Sequence, residues 1–334
     1  LRRGRFSDIK AEPATPDDAT MPASQGPIRL PRITILLCTF NGAAHLAEQL
    51  ESYLAQEHAE WDLWVSDDGS TDGTLDILRA FQRAEGQRRD IRLLEGPRLG
   101  PAANFLSLMC HPELPSGPVA LSDQDDVWWP CRLRRALEGL SLGGAVTLYG
   151  AQSQHTDDAL GVIGASRPPR RAPGFANALT QNIVSGHSAA LSPGALELVR
   201  RAGVPADIPY HDWWLYLLIS GAGGDVVIDD APVLYYRQHG GNVMGAHRGP
   251  AASLERVAQV LGRSYAGWVE ANTGALQGVE TLLTQNNRAL LAGVAAAPRR
   301  VGLSRPLAFY RMGLHRQSQL ATASLYLAAA LGRV

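Results

Sequence analysis

Aspartates mark the places where this chain could do chemistry. Asp123-Gln124-Asp125-Asp126 follows the run PVALS, DDGSTDGT occupies 67–74 after DLWVS, and Asp212 stands second in HDWW at 211–214. Asp123 and Asp125 are two apart, so in an extended segment both carboxylates point to one side and can meet one cation. A hard divalent ion held by one or two carboxylates and completed by diphosphate oxygens suits a nucleotide substrate. The plainer reading has Asp125 or Asp126 capping a helix after Pro130, with the other acids solvated. In DDGSTDGT, Asp67 or Asp68 can accept the N3–H of a uracil or thymine base, since a buried carboxylate left unpaired is costly. That run also reads as a Gly-Ser turn with Thr71 or Asp72 capping a helix. Asp212 suits a general base, but it opens an apolar helix, where the positive dipole end weakens a carboxylate as a base and favours an N-cap role.

The elements that must position these residues alternate. ITILLC (33–38), DLWVS (62–66), IRLLE (91–95) and PVALS (118–122) read as strands, separated by helices near 44–56, 72–84 and 101–110. Such alternation predicts βαβ units and a mostly parallel sheet with helices on both faces, an α/β Rossmann-like class. In an open α/β sheet, ligands bind at the carboxyl ends of the strands, where TFNG (39–42), DDGSTDGT and DQDD all fall. After Tyr149 the pattern predicts a strand at 183–191, a helix at 212–220, and strands at 226–228 and 233–237. Helices follow at 253–270, 275–296 and 305–331. The domain reading is a disordered lead-in at 1–31, a catalytic domain at 32–250 with halves 32–130 and 131–250, and a helical extension at 251–334.

Composition narrows the function. Lys+Arg 31 against Asp+Glu 32 leaves a net charge of -1, with no nucleic-acid footprint over the whole chain. The charge is uneven, because residues 251–334 hold nine Arg and three Glu, so the extension is basic and the body acidic. Arg299, Arg300, Arg305, Arg311 and Arg316 lie in a stretch without acids, interspersed with Leu307, Phe309, Tyr310, Leu314, Leu320, Leu325 and Leu327. That pattern fits peripheral association with an anionic membrane surface, or helices packed on the catalytic domain. No apolar run is long enough to span a bilayer, and residues 1–31 lack the apolar stretch of a signal peptide. Three scattered cysteines without a CxxC fit a reducing cytoplasm. Neither a GxGxxG after the first strand nor a GxxxxGK[ST] is present, so phosphate must be neutralised by other means.

Taken together, TFNG, SDDGSTDGT, ALSDQDDVWWP, IVSGHSAALS, HDWWLYLL and LYYRQHGGNVMG resemble the bacterial family 2 glycosyltransferases of the GT-A fold, over residues 32–245. Within that family they most resemble polysaccharide rhamnosyltransferases. The resemblance implies an inverting transfer of a sugar, L-rhamnose from dTDP-rhamnose, to a saccharide or lipid-linked saccharide acceptor in cell-surface polysaccharide synthesis. A UDP-sugar donor is the alternative. It also implies that Thr39 and Asn41 line the nucleotide, that Asp68 reads the pyrimidine and that Asp67 supports it. Asp123 and Asp125 would form the metal-binding DxD element for Mg or Mn, with Asp123 near ribose or metal. Asp212 would be the base, and His239 a late ligand to metal or diphosphate, in a Gly-rich loop placed to close over the donor. Asp126, Trp213 and Trp214 are candidates for the sugar or acceptor pocket, with core packing the plainer role for at least one Trp. His187 stands where relatives often carry a small or sulfur-containing residue, and it reads as a packed histidine hydrogen-bonded to backbone.

Two other classes compete. Gly186-His187-Ser188-Ala189-Ala190 approximates a nucleophile elbow, and Ser188, Asp212 and His239 follow the chain order of an α/β-hydrolase triad. The last Gly of that elbow is absent, no HGGG-type segment precedes it, and the acidic clusters would have no task. A non-catalytic nucleotide-sugar binder would be marked by loss of Asp125 or Asp212, and both are present.

Overall fold

Seven successive buried residues make Ile33–Thr39 a strand covered on both faces (β1). Beside it run β2 (Trp61–Asp67) and β4 (Val119–Ser122), both parallel to it, and β3 (Ile91–Glu95) parallel to β2. The computed structural model describes residues 30–238 and 262–334, and Pro31–Val334 form one compact unit. Almost all of the lead-in expected at 1–31 lies outside the described residues, as do His239 and the start of the helix expected at 253–270.

The sheet continues as β8 (Ala190–Leu191), β6 (Thr147–Thr156), β9 (Asp225–Arg237) and β5 (Val127–Trp128), giving the order β3-β2-β1-β4-β8-β6-β9-β5, with β7 (Val162–Ala165) beside β6. The first half is parallel. In the second half β8 runs antiparallel to both of its neighbours and β5 antiparallel to β9, so the whole is a mixed sheet. Helices α1 (Leu46–Leu54), α2 (Thr74–Glu85), α3 (Pro101–Met109) and α4 (Arg132–Leu142) alternate with the strands. After them come α5 (Phe175–Ala178), α6 (Pro193–Ala202) and α7 (His211–Gly221). Every residue of α7 but Asp212 is buried, as befits a helix apolar all round.

The chain departs from the expected pattern at several points. Residues 183–191 are a strand only at Ala190–Leu191. The Asn182 side chain binds both backbone groups of Val184, and Gly186–Ser188 form a 3-10 turn. Side-chain bonds of this kind divert backbone from the ladder. The strands expected at 226–228 and 233–237 are one strand, bulged where Gln152 pairs with Pro232, a position a proline tolerates.

The terminal helices are α8 (Arg263–Gly278), α9 (Gln285–Ala296), α10 (Ser304–Arg311) and α11 (Gln319–Ala330). The helix expected at 275–296 breaks because Thr284 caps α9 through Asn287 N–H and ties its own N–H to Gly221 O. The one expected at 305–331 breaks at Gly313, whose φ of +70° ends α10, before Ser318 caps α11. These helices share the core of α7: Leu276, Leu283, Leu291, Phe309, Leu314, Leu325 and Ala328 are buried in one cluster with Trp213, Trp214 and Leu218.

Candidate active site

The carboxyl ends of β1, β2 and β4 open onto a cavity of about 1010 Å³ whose wall includes Thr39, Asp68, Asp123, Asp125, His187 and Asp212. Thr39 is buried and donates its hydroxyl to Asp67 Oδ2 at 2.7 Å. Asp67 also accepts the Ser70 hydroxyl at 2.6 Å and the Ser70 N–H at 2.8 Å, so its carboxylate fixes the turn after β2 rather than facing the cavity. Asp68 does face it, with Oδ1 and Oδ2 accepting the N–H groups of Arg98 at 2.6 Å and Gly100 at 2.8 Å. Asn41 takes a left-handed φ of +49° and accepts Thr71 N–H at 2.8 Å. It joins the TFNG and DDGSTDGT loops and is not on the cavity wall. Asp72 accepts the N–H groups of Thr74 and Ala43, but neither it nor Thr71 is the cap expected, because the N-cap of α2 is Gly73, without a side-chain cap bond.

Asp212 reaches the cavity from the other half of the sheet. It is not the cap of α7, which begins after Tyr210 without a side-chain cap. Its carboxylate accepts Trp213 N–H at 2.7 Å and Gly186 N–H at 3.0 Å. A side chain at 186 would put its Cβ 2.6 Å from His211 Nε2, which is why a glycine makes this approach. Burial pushes the Asp212 carboxyl up to about 6, against these N–H groups and the Asn182 amide, which hold it down. The weakening of the base expected from the helix dipole is therefore outweighed by desolvation.

Asp123 is likewise raised, to about 7, by burial first and then by Asp125 and Asp212, with Arg132 opposing. Asp126 is fully buried, off the cavity wall, and neither of its oxygens completes a hydrogen bond of normal geometry. Burial and then Asp125 and Asp123 hold it well above the usual carboxylate range, with the Arg237 backbone and Arg132 opposing. Ligand atoms of Asp123, Asp126 and His187 lie within 4.8 Å of one another. The acids expected to cap a helix after Pro130 do not, because α4 begins after Cys131 without a side-chain cap.

A family model described as Glycosyl transferase family 2 matches residues 34–197. The chain carries a family 2 glycosyltransferase domain. It is similar to the dTDP-rhamnosyl transferase RfbG of Shigella flexneri, 26% identical over 243 residues, which are 69% of this chain and 80% of that protein. It is also similar to the putative glycosyltransferase EpsE of Bacillus subtilis, 32% identical over 108 residues, 31% of this chain and 37% of that one. Among solved structures it resembles residues 1–349 of TarS from S. aureus in complex with UDP-GlcNAc. That likeness has a TM-score of 0.53 at 16% identity, covers 90% of this chain and 89% of that one, and establishes the GT-A fold. Residues 34–197 thus form a family 2 glycosyltransferase domain, and the fold is GT-A.

Glycosyltransferases of this fold generally use a divalent metal. The residues here fit one, since Asp123 and Asp125, both with hard oxygen donors, line the cavity. His239 lies outside the described residues. The glycosyltransferase domain does not use every residue its sequence suggested. Trp213 and Trp214 are buried in the core, with Trp213 Nε1 donating to Ala178 O at 2.8 Å, so neither forms a sugar wall. Ser188 is fully buried and its hydroxyl bonds Ala151 O and Ser185 O. Its 3-10 turn is not a strand-to-helix elbow, which removes the hydrolase reading.

Three residues around the glycosyltransferase site have roles that the sequence pattern did not assign. Gln124 brackets Phe40, accepting its N–H at 2.9 Å and donating to its carbonyl at 3.0 Å, and so locks the loop after β4 to the loop after β1. Arg237, nearly buried at the end of β9, donates to Asp125 O at 3.1 Å and pairs with Glu48. Arg132 is fully buried over the Trp128 ring and donates to Leu121 O, His187 O and Ser188 O. It is one of three closely spaced Arg, and only its burial distinguishes it. Arg132→Met is expected to leave three carbonyls short of a donor and to lower stability by about 3 kcal/mol, read from urea unfolding. Arg134→Met on the exposed side of the same helix should move it by under about 1 kcal/mol.

Proposed function

We propose that this glycosyltransferase is inverting, and that it moves L-rhamnose from dTDP-rhamnose to a saccharide or lipid-linked saccharide in cell-surface polysaccharide synthesis. The observation that carries the reaction is Asp212, a carboxylate of raised proton affinity on the same cavity as Asp68, Asp123 and Asp125. Asp212 takes the proton of the acceptor hydroxyl while the sugar departs from its diphosphate on the opposite face. Asp68, held by two backbone N–H groups, keeps lone pairs for the N3–H of a pyrimidine, and Thr39 lies beside it on the wall. A bound divalent cation supplies charge neutralisation at the departing diphosphate. The rhamnose reading is supported by the relative from Shigella flexneri, matched over most of its length. A screen of dTDP-rhamnose against common UDP and GDP sugars, with Mg or Mn, tests it by release of nucleoside diphosphate. Turnover confined to a UDP sugar would replace the rhamnose reading, and no turnover with any donor would favour a non-catalytic binder.

The acceptor side rests on the terminal helices. Phe309, Leu314 and Leu325, expected at a membrane, are instead buried in the core, and Arg305 is buried with them. A second apolar set stays exposed: Val301 and Leu303 at 77% and 78%, with Leu307, Tyr310, Leu320, Leu327 and Leu331. Arg300 and Arg311 are exposed among them, and no acid follows Glu280. No helix among the described residues is long and apolar enough to cross a membrane. This face suits peripheral binding to an anionic lipid surface, where a lipid-linked acceptor would be presented, each Arg adding on the order of 1 kcal/mol. Sedimentation with vesicles is expected to require anionic lipid, weaken with salt and fall when Val301, Leu303 and Leu320 are changed to Ser. Indifference to lipid charge, with self-association lost in the same variant, would make this face a contact between copies.

A further inference from the structure

The terminal helices enclose a second cavity that the transfer chemistry does not use. It has a volume of about 520 Å³, lies between α8, α9, the start of α10 and residues 332–334, and shares no lining residue with the cavity at the strand ends. Sites for small molecules have such volumes. The charged side chains on its wall are Arg299, Arg305 and Arg333 against the one carboxylate of Glu270.

Arg305 is the unusual member. It is 3% exposed, its guanidinium holds Ala297 O, and its Nε has no partner. Among the described residues no carboxylate pairs with it, and Glu270 on the same wall is taken by Arg299 at 2.7 Å. The Phe309 ring lies 4.9 Å from the guanidinium carbon. A buried charge is normally paired, because an apolar surrounding does not return the hydration it gives up. Arg132, also buried, holds three carbonyls, whereas Arg305 holds one. Burial first and then Arg299 press Arg305 down to about 10, with no acid opposing them, so it stays charged at neutral pH.

The rest of the wall narrows the anion. Guanidinium groups present flat N–H forks that suit the paired oxygens of phosphate, and Gln277 adds an amide donor. Ala266, Val269, Val294 and Ala295 give carbon something to pack on, so the cavity suits more than a bare ion. Its rim joins the exposed apolar face, since Gly302 N–H donates to Ala330 O at 2.8 Å and a Cβ on Gly332 would stand 3.4 Å from Val301 N.

We propose that this cavity binds the phosphate or diphosphate group of a small ester, with Arg305 as its buried anchor, Arg299 as the second cation and Glu270 as the group the anion displaces from Arg299. The same chemistry has two sources, a soluble phosphate ester or a lipid phosphate entering from the apolar rim. The site is independent of the donor reading, and only the lipid source rests on the membrane reading.

The test uses the full chain in metal-free buffer, with pyrophosphate as the probe and calorimetry as the readout. Binding is expected, and Arg305→Met and Arg299→Gln should each weaken it at least about tenfold. Glu270→Gln should tighten it about threefold, since no carboxylate then competes for Arg299. Arg98→Gln at the strand-end cavity should leave it unchanged. Without ligand, Arg305→Met should melt no lower than native protein, because it removes an unpaired buried charge. Pyrophosphate should raise the melting temperature of native protein and not of Arg305→Met. If Arg305→Met fails to fold, Arg299→Gln and Glu270→Gln, both at exposed positions, carry the test through their opposite signs. Absence of binding, binding that none of these three variants changes, or binding lost in Arg98→Gln would overturn the proposal. Sedimentation with phosphatidylcholine vesicles containing phosphatidic acid, against the same fraction of phosphatidylglycerol, identifies the source. A preference for the monoester that Arg305→Met abolishes assigns a lipid phosphate, and equal binding of the two, with pyrophosphate still bound, assigns a soluble ester. A failed donor screen would strike the transferase reading and leave this site standing.

Discussion

Asp212→Asn is expected to slow sugar transfer by about two to four orders of magnitude while nucleotide binding survives. The substitution keeps size and removes proton acceptance. It also keeps only one oxygen for the two N–H groups, Gly186 and Trp213, that the carboxylate now serves, so a stability loss of about 1 kcal/mol should accompany it. Activity and unfolding measured on the same preparation separate the two effects. Normal turnover in a destabilised protein would make Asp212 structural. The native enzyme should show the matching pH dependence. Burial raises the Asp212 carboxyl to about 6, so below that pH it is protonated and cannot take a proton from the acceptor. The logarithm of kcat/KM should therefore rise with pH, bend near 6 and level off above it. Asp123, raised to about 7, gives a limb in the same region. A limb due to Asp123 should move as the Mn2+ concentration is varied, whereas one due to Asp212 should stay.

Removal of divalent metal is expected to abolish transfer, and Asp125→Asn to cost about 4 kcal/mol of transition-state stabilisation, roughly a thousandfold in rate. The departing diphosphate develops negative charge, and the cavity offers carboxylates there. Without a cation those carboxylates would repel the leaving group, so the wall that would hold a metal becomes a barrier in its absence. Dialysis against EDTA followed by titration with Mn2+ and Mg2+ measures this. Full activity in excess EDTA would rule out metal-assisted departure.

Much of the nucleotide half is legible in the amino-acid sequence, because its signals are local. β1 to β4 and the helices between them follow from apolar runs and turn residues within a few positions. The acids after those strands sit at the carboxyl ends of the sheet, as open α/β topology requires. The second half is less legible. The segment 183–191 has the composition of a strand, but Asn182 and Gly186 spend their groups on side-chain bonds that no periodicity reveals. Trp213 and Trp214 have the type and position of sugar-stacking residues beside a base, yet the terminal helices and α7 share a core that claims both rings.

The sequence by itself determined where the acids stand along the chain and the strand ends that carry them, because a strand's burial and a turn's chemistry are set by neighbouring residues. The tertiary structure alone decided which acid does what. Asp67, Asp68, Asp123, Asp125 and Asp126 are chemically alike as residues, but one is consumed by a turn, three face the cavity and one is sealed beneath it. What separates them is the partner each meets, supplied from far along the chain: Arg98 for Asp68, Arg237 for the Asp125 backbone, and His187 beside Asp126. Proton affinity and ligand geometry depend on burial and on such distant contacts, and those exist only once the chain has closed on itself.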